Sequence, residues 1–393
     1  MSAAEVAIVG VGIHPFGRHD GMSGGAMGAH AVRQALRDAG ITWRDVQVAY
    51  GGSLASMLPG NEGSGSGMAD TLVNQLGLTG LPFVNVANGC ATAGSSVDAC
   101  VHAIASGAFD VGLAVGFDKH PRGHFNADPA TAGLPAWYGE LGFMVTTQFF
   151  AMKLNRYLHD HAIDDDVLAM VAAKAFRNGS LNPNAWRQKP IPEDEIRDSR
   201  MLNHPLTQYM FCSPDEGAAA VVLCRADLAH RFTDRPVFVR SIAVRTRRFG
   251  TFEVFAPSLP IESAPSPTVD AAAAAFERAG IGPDEVDVLQ VQDSESGAEL
   301  MHLAECGFCA DGEQADLVRT GALEIGGRLP TNTDGGLLAN GEPIGASGMR
   351  QIHEIVLQLR GDAGARQVPG DPTVGFTQVY GAPGVGACCL LSR

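Results

Sequence analysis

Two stretches decide the fold: VRQALRDAGITWRDVQV at 32–48 and AAAAFERAGIGPDEVDV at 272–288, offset by 240 residues. Gly40 matches Gly280, Ile41 matches Ile281, Val46 matches Val286 and Val48 matches Val288. Each copy reads as a helix ended by Ala-Gly, an acidic turn and then a strand. The order of elements goes on matching. A Gly-rich turn and helix follow in both halves (ATAGSSVDACVHAIASG at 91–107, IGASGMRQIHEIVLQLRG at 344–361). Two closing strands come next, VGLAVGF and AAAVVLC in the first half, VGFTQVYG and VGACCLL in the second. One helix-turn-strand match arises by chance; five elements in the same order mark a duplicated unit. Strands alternating with amphipathic helices in both halves predict an α/β layered fold, with two sheets and helices outside and between them.

The length agrees, since 393 residues accommodate two domains or one domain duplicated. We expect an N-terminal half over 1–235 and a C-terminal half over 236–393, with an insertion at about 119–214. That insertion is rich in Pro, Asn, His and aromatic residues. Its segment DDDVLAMVAAKAFRNGSLNP (164–183) reads as a helix with a capped start. An insertion of this size on a repeated core is expected to cover a substrate, or else to serve as a dimer contact or a purely structural excursion.

Composition narrows the function. Apolar residues make up 45% of the chain and charged ones 18%, the balance of a well-buried globular protein. The net charge of −15 repels a phosphate backbone, which argues against nucleic acid. No apolar run approaches the ~18 residues of a membrane helix. The N-terminus, MSAAEVAIVGVGIHPFGR, enters an apolar run without a basic start or cleavage pattern. The eight cysteines are scattered, most among apolar residues (Cys100, Cys212, Cys224, Cys388, Cys389), as in a reducing compartment. The expectation is a soluble cytoplasmic protein.

The chemistry-bearing residues sit where strand meets helix. FVNVANGCATAGSSVDACVHAIASG (83–107) puts Cys90 after a strand, in a small-residue turn, at a helix start. Backbone N–H groups and the positive helix end there favour a reactive thiol. This turn resembles the nucleophile turn of the thiolase superfamily. The segment LPTNTDGGLLANGEPIGASGMRQIHEIVLQLRG (329–361) resembles the thiolase element GG-x-x-x-x-GHP-x-G-A-[ST]-G. ECGFCADGE, the LPTNTDGG turn and the QLRG helix end are most similar to the sterol-carrier-protein-type, or lipid-transfer-protein-like, thiolases. The resemblance covers essentially the whole chain. It implies a duplicated five-layered αβαβα fold, a homodimer and acyl-CoA substrates, with no cofactor beyond the coenzyme A of the substrate. It also implies that Asn332, Ser347, Gly381 and Gly384, on the motif turns, line the substrate site.

The departures from the family pattern redirect the chemistry. Glu342 stands where the family carries the His of GHP, which activates the cysteine. Gln292, Asp293, Ser294 and Glu295 stand where the sterol-carrier type has His-Asp-Cys-Phe. Tyr380, in QVYGAPGVGACC (378–389), falls at or within one position of the family's C-terminal Cys or His. A carboxylate beside a thiol raises the thiol's pKa, so a thiolate–imidazolium pair is unavailable. A buried Glu342 suits a general base. Gln292 keeps an N–H donor for a thioester oxygen. Tyr380, if it points inward, exchanges a proton at a β-oxygen.

These parts fit retro-aldol cleavage of a β-hydroxyacyl-CoA, an option the resemblance supports. Some lipid-transfer-protein-like relatives look like aldolases on steroid side-chain CoA esters with a small OB-fold, acyl-CoA-binding partner. Two alternatives stand beside it: a true thiolase or acyltransferase using Cys90, and a non-catalytic acyl-CoA or lipid carrier or scaffold subunit. Other motifs carry less. Cys306 and Cys309 form a C-x-x-C without zinc spacing and read as structural. Cys388 and Cys389 face opposite sides of one strand. GSGSG (63–67) reads as a flexible loop. His159 and His161 read as a solvated face. Arg245, Arg247 and Arg248 either meet CoA phosphates or an acidic partner, or form an exposed strand end.

Overall fold

The computed structural model describes residues 5–54, 69–123, 128–132, 134–142, 145–251, 264–382 and 384–393. GSGSG and short parts of the insertion lie outside them. The described residues form eleven strands: β1 (Val6–Gly17), β2 (Val48–Gly52), β3 (Phe83–Asn85), β4 (Val111–Lys119), β5 (Met201–Asn203), β6 (Leu206–Thr207), β7 (Glu216–Arg225), β8 (Val237–Thr246), β9 (Val288–Gln290), β10 (Val374–Gly381) and β11 (Val385–Ser392). The first-half core helices are α1 (Gly24–Asp38), α2 (Val73–Leu76) and α3 (Thr92–Ala105). The insertion carries α4 (Trp137–Glu140), α5 (Thr146–Asp160), α6 (Asp166–Ser180) and α7 (Glu193–Asp198). The second half carries α8 (Pro267–Ala279), α9 (Ser296–Glu305), α10 (Gln314–Arg319), α11 (Gly336–Asn340) and α12 (Ile344–Arg360).

The repeat survives in atomic detail. Past the ends of α1 and α8, Gly40 (φ +66°) and Gly280 (φ +64°) turn the chain through the left-handed region that glycine enters without strain. A single 3₁₀ turn follows in each copy, Trp43–Asp45 and Pro283–Glu285. Each is tied by a carboxylate that accepts a backbone N–H three residues back: Asp45 from Thr42 at 2.8 Å and Glu285 from Gly282 at 2.7 Å. Then β2 and β9 begin.

The strands run in the order β3-β2-β4-β7-β1-β8-β11-β10-β9, so the second half retraces the first from the opposite edge. The strand β2 is parallel to β4, β4 antiparallel to β7, and β7 antiparallel to β1. Likewise β9 is parallel to β10, β10 antiparallel to β11, and β11 antiparallel to β8. Among the described residues, the three pairs Val6–Val239, Ala7–Phe238 and Ile8–Val237 join the halves as one sheet. Helices α3 and α12 pack between the halves with β1, β7, β8 and β11 in one core cluster. Helix α1 covers the outer face of the first half and α8 that of the second. The layers are therefore α, β, α, β, α, the duplicated thiolase architecture. The strands β4 and β7 are buried almost end to end, as strands covered on both faces must be.

The insertion forms its own core with α9 and α11. Its helix α6 appears where the sequence predicts, but the expected side-chain cap is missing: Asp165 makes no cap bond. The neighbouring Asp164 and Asp166 instead pair with Arg319, at 3.4 and 2.8 Å. No helix among the described residues is long and apolar enough to cross a membrane.

Candidate active site

Parallel strands leave their carboxyl ends, and the helix starts that follow, at one edge of each half. Cys90 and Glu342 both lie there. Cys90 precedes Ala91, the N-cap of α3, and Glu342 precedes Pro343, the N-cap of α12. The two residues therefore hold the same place in the two copies of the repeat. Ser347 is the fourth residue of α12, level with Ser95 in α3.

The turn carrying Cys90 is fixed by its neighbours. The Asn88 backbone N–H donates to Thr92 Oγ1 at 2.9 Å, and Thr92 Oγ1 donates to the Gly89 carbonyl at 2.6 Å. Gly89 has φ +57°, and a Cβ there would fall 2.6 Å from the Ala382 carbonyl oxygen. The turn after β10, which holds Gly381 and Ala382, thus lies directly over the Cys90 turn. Gly384 closes this turn, donating its N–H to the Gly381 carbonyl at 2.8 Å.

Glu342 is buried, 3% exposed, where its backbone N–H reaches the Ser213 carbonyl at 2.9 Å. Gln292 Nε2 donates to Glu342 Oε1 at 2.9 Å, and Cys212 Sγ donates to Glu342 Oε2 at 3.2 Å. Cys90 donates to the same carboxylate. Burial pushes Glu342 above the usual carboxylate range. The hydrogen bonds from Cys90, Cys212 and the Gln292 amide pull the other way, because each favours the charged form. Burial, then the Glu342 charge, drives the Cys90 thiol well above its ordinary range, and Cys212 likewise. Both sulfurs are therefore protonated donors at neutral pH, and Glu342 is the group equipped to accept a proton.

Cys212, Asp118 and His120 escaped the sequence reading as site residues. Cys212 stands where the chain returns from the insertion, in FCSP, and its backbone N–H bonds the Ser294 carbonyl at 2.9 Å. Asp118, near the end of β4, and His120, just past it, meet the start of α12: Asp118 Oδ2 accepts from the Gly345 N–H at 2.5 Å and His120 Nε2 accepts from the Ile344 N–H at 3.2 Å. The signal for them was a buried charge at a strand end, invisible without the pairing of the halves.

Three expected site residues make their described contacts away from the Glu342 carboxylate. Tyr380 follows Val379, which packs with Cys90 and Ala91, so alternation along β10 sends its ring to the other face. There it lies 6.1 Å from the His302 ring and 5.3 Å from Lys153 Nζ, measured between or to ring centroids. Asn332 is fully buried with φ +52°. Its Oδ1 accepts from the Val291 N–H at 3.0 Å and its Nδ2 donates to Glu299 Oε2 at 2.7 Å, so it brackets β9 to α9. Ser347 Oγ donates to the Ile344 carbonyl at 3.1 Å inside α12. Asp293 is used structurally: it accepts from the Leu337 N–H at 2.7 Å at the start of α11, and burial pushes it up to about 8. Arg248 is bound to Asp270 in two places, while the Arg247 N–H donates to the Gly384 carbonyl at 3.0 Å, so that basic stretch adjoins the turn over Cys90.

Comparison with known proteins agrees with this fold. The thiolase N-terminal domain family matches residues 6–196, and the thiolase C-terminal domain-like family matches residues 261–391. The chain is 33% identical to the acetyl-CoA acetyltransferase of Methanothermobacter thermautotrophicus, over 99% of this chain and 100% of that protein. It is 31% identical to the benzoylsuccinyl-CoA thiolase subunit BbsB of Thauera aromatica (96% and 94%) and 30% identical to sterol carrier protein 2 of Gallus gallus (93% and 68%). Among solved structures, an Ltp2-ChsH2(DUF35) aldolase superposes with a TM-score of 0.85 at 25% identity, covering 100% of this chain and 99% of that one. Human mitochondrial 3-ketoacyl-CoA thiolase superposes with a TM-score of 0.71 at 15% identity, over the whole of both chains, and so shares the fold.

Proposed function

The chain belongs to the thiolase family and is an acyl-CoA enzyme, an acyltransferase or an aldolase; from that premise we propose the second, an aldolase that splits a β-hydroxyacyl-CoA with Glu342 as general base. One observation carries the reading: a single buried carboxylate collects the Cys90 thiol, the Cys212 thiol and the Gln292 amide, where acyl transfer needs a thiolate beside a cation.

In the proposed reaction the Glu342 carboxylate takes the proton of the β-hydroxyl. The Cα–Cβ bond breaks, the β-carbon leaves as a carbonyl compound, and the electron pair passes to the thioester as an enolate. The second N–H of Gln292, which has only a 3.5 Å contact with Ser294 Oγ, is the donor for the enolate oxygen. The acid just formed on Glu342 returns its proton to Cα, releasing the shortened acyl-CoA. Atoms and charge balance without a cofactor; coenzyme A enters as part of the substrate.

A second reading, acyl transfer through Cys90, is favoured by the position of that thiol at the start of α3. Cleavage assays on a β-hydroxyacyl-CoA with Cys90→Ala and Glu342→Gln separate the two. The aldolase keeps its activity without the thiol and loses it without the carboxylate. A stable acyl adduct on Cys90 assigns the thiolase mechanism instead.

The same reading extends to context. The acyl group belongs to steroid or other side-chain catabolism, as the aldolase resemblance suggests. A small partner protein is supported by the description of the Ltp2-ChsH2(DUF35) neighbour as an assembly. A homodimer through β3 is supported by that strand's open edge in the sheet order and by exposed Val84 and Leu78 beside it. A cytoplasmic location is supported by eight free thiols.

A further inference from the structure

A second polar cluster adjoins the Glu342 site on the side that the insertion covers. Lys153, half-buried on α5, holds its ammonium 5.3 Å from the centroid of the Tyr380 ring, a cation–π contact. No carboxylate among the described residues lies at ion-pairing distance from it; His302, against the same ring, takes Glu305 at 2.6 Å. Glu295, fully buried at the N-cap of α9, accepts the Gly297 N–H on Oε2, while its Oε1 has no partner among the described residues. Burial pushes Glu295 up to about 8, against the Gly297 N–H and the Lys153 field, so at neutral pH it carries a proton and no acceptor.

This cluster is continuous with the site. Glu295 bridges backbone to backbone with Phe211, whose ring lies 5.8 Å from Phe150 on α5. The next residue, Cys212, holds Glu342. A purely hydrocarbon acyl chain reaching this place would leave the unbonded oxygen of a buried acid without a partner, an arrangement proteins avoid, beside an ammonium balanced only by the Tyr380 ring and the field of Glu305. An anionic oxygen pair satisfies both.

We propose that Lys153 and Glu295 recognise a carboxylate borne by the acyl group beyond its β-carbon, so that the substrate is the CoA monothioester of a dicarboxylic acid. The inference rests on reading the Glu342 site as the place where the thioester reacts. Tyr380 then serves as the platform that holds Lys153, not as a proton donor.

The test uses CoA thioesters of two 3-hydroxy acids of equal length, one ending in a carboxylate and the other in its methylamide. The wild type should show a kcat/KM at least tenfold higher for the carboxylate. Lys153→Met should remove that preference, lowering kcat/KM for the carboxylate by 10- to 100-fold and leaving the methylamide within about threefold. Lys153→Arg should retain most of it, and Glu295→Gln should lose about tenfold. Equal turnover of the two thioesters by the wild type overturns the inference and leaves the aldolase reading intact. If neither thioester is cleaved, the aldolase reading fails, and equilibrium binding decides the inference separately: tighter binding of the carboxylate by wild type than by Lys153→Met upholds it, and equal binding overturns it.

Discussion

Cys212 Sγ lies 3.2 Å from Glu342 Oε2, so a thiol at the exit of the insertion orients the carboxylate of the repeated core. The contact joins residues 130 positions apart and stabilises the charged form of Glu342. Replacing Cys212 with Ala removes a donor from the carboxylate and raises its pKa. The acidic limb of the pH–rate profile should therefore move to higher pH, with kcat at neutral pH down by about tenfold. Cys212→Ser should restore both. An unmoved limb in Cys212→Ala would mean that the thiol does not act through Glu342.

Glu342→Gln should fold normally and lower kcat by ~10²–10⁴, the span for a lost general base. The base works only when ionised, so wild-type activity falls as pH drops through a Glu342 pKa lying above the ordinary glutamate range. The variant should lack that limb. Near-full activity in Glu342→Gln on every acyl-CoA tested would assign the residue a structural role.

Cys90 should be a slow nucleophile. With its thiol held well above the ordinary range by burial and by Glu342, alkylation by iodoacetamide at pH 8 should run at least ~10-fold slower than for an exposed cysteine. Glu342→Gln removes the like charge, so the same reaction should speed up. Mass spectrometry of the Cys90 peptide reads both rates. Rapid alkylation of the wild type would contradict the protonated-donor description and favour acyl transfer.

Gly341 has φ +90°, and a Cβ there would fall 2.2 Å from Asp215 Oδ2. Gly361, at the end of α12, has φ +75° with nothing within 4 Å of the same atom. Gly361→Ala should therefore lose about 1 kcal/mol from the backbone alone, and Gly341→Ala about 3 kcal/mol or more. Denaturant unfolding of the two variants measures the difference, and equal losses would mean that Asp215 yields freely.

Asp293 titrates near 8 in the folded chain because burial penalises its charge, and near 4 when unfolded. Between those values the folded state keeps a proton that the unfolded state has released, so this group's contribution to stability falls as pH rises from 4 to 8 and is level above. Asp293→Asn cannot titrate. Its stability relative to wild type should improve steadily across that window, as measured by unfolding midpoints at several pH values. A constant difference would show that Asp293 has no raised pKa.

Much of this was legible in the sequence because the repeat carries its own punctuation. Gly40 and Gly280, each followed by an acidic turn and a valine-rich strand, announced both copies. Glycine and proline around Cys90 and Glu342 left those side chains little choice of direction. Tyr380 was not legible: which face of β10 it takes depends on the pairing of that strand, and one position of register reverses the answer. Asn332 sits in a family motif turn, yet its bonds to Val291 and Glu299 arise only when β9 and α9 pack together. Cys212 looked like any buried thiol until the insertion folded back onto the core.

The matching seats of Cys90 and Glu342, one residue ahead of the caps of α3 and α12, have an evolutionary consequence. Duplication gave this scaffold two equivalent positions whose side chains meet, each filled by a single codon. Neither side chain helps to form the helix behind it. A lineage can therefore exchange one kind of bond-making for another by point substitution in either half, while the sheets and the seam stay as they were.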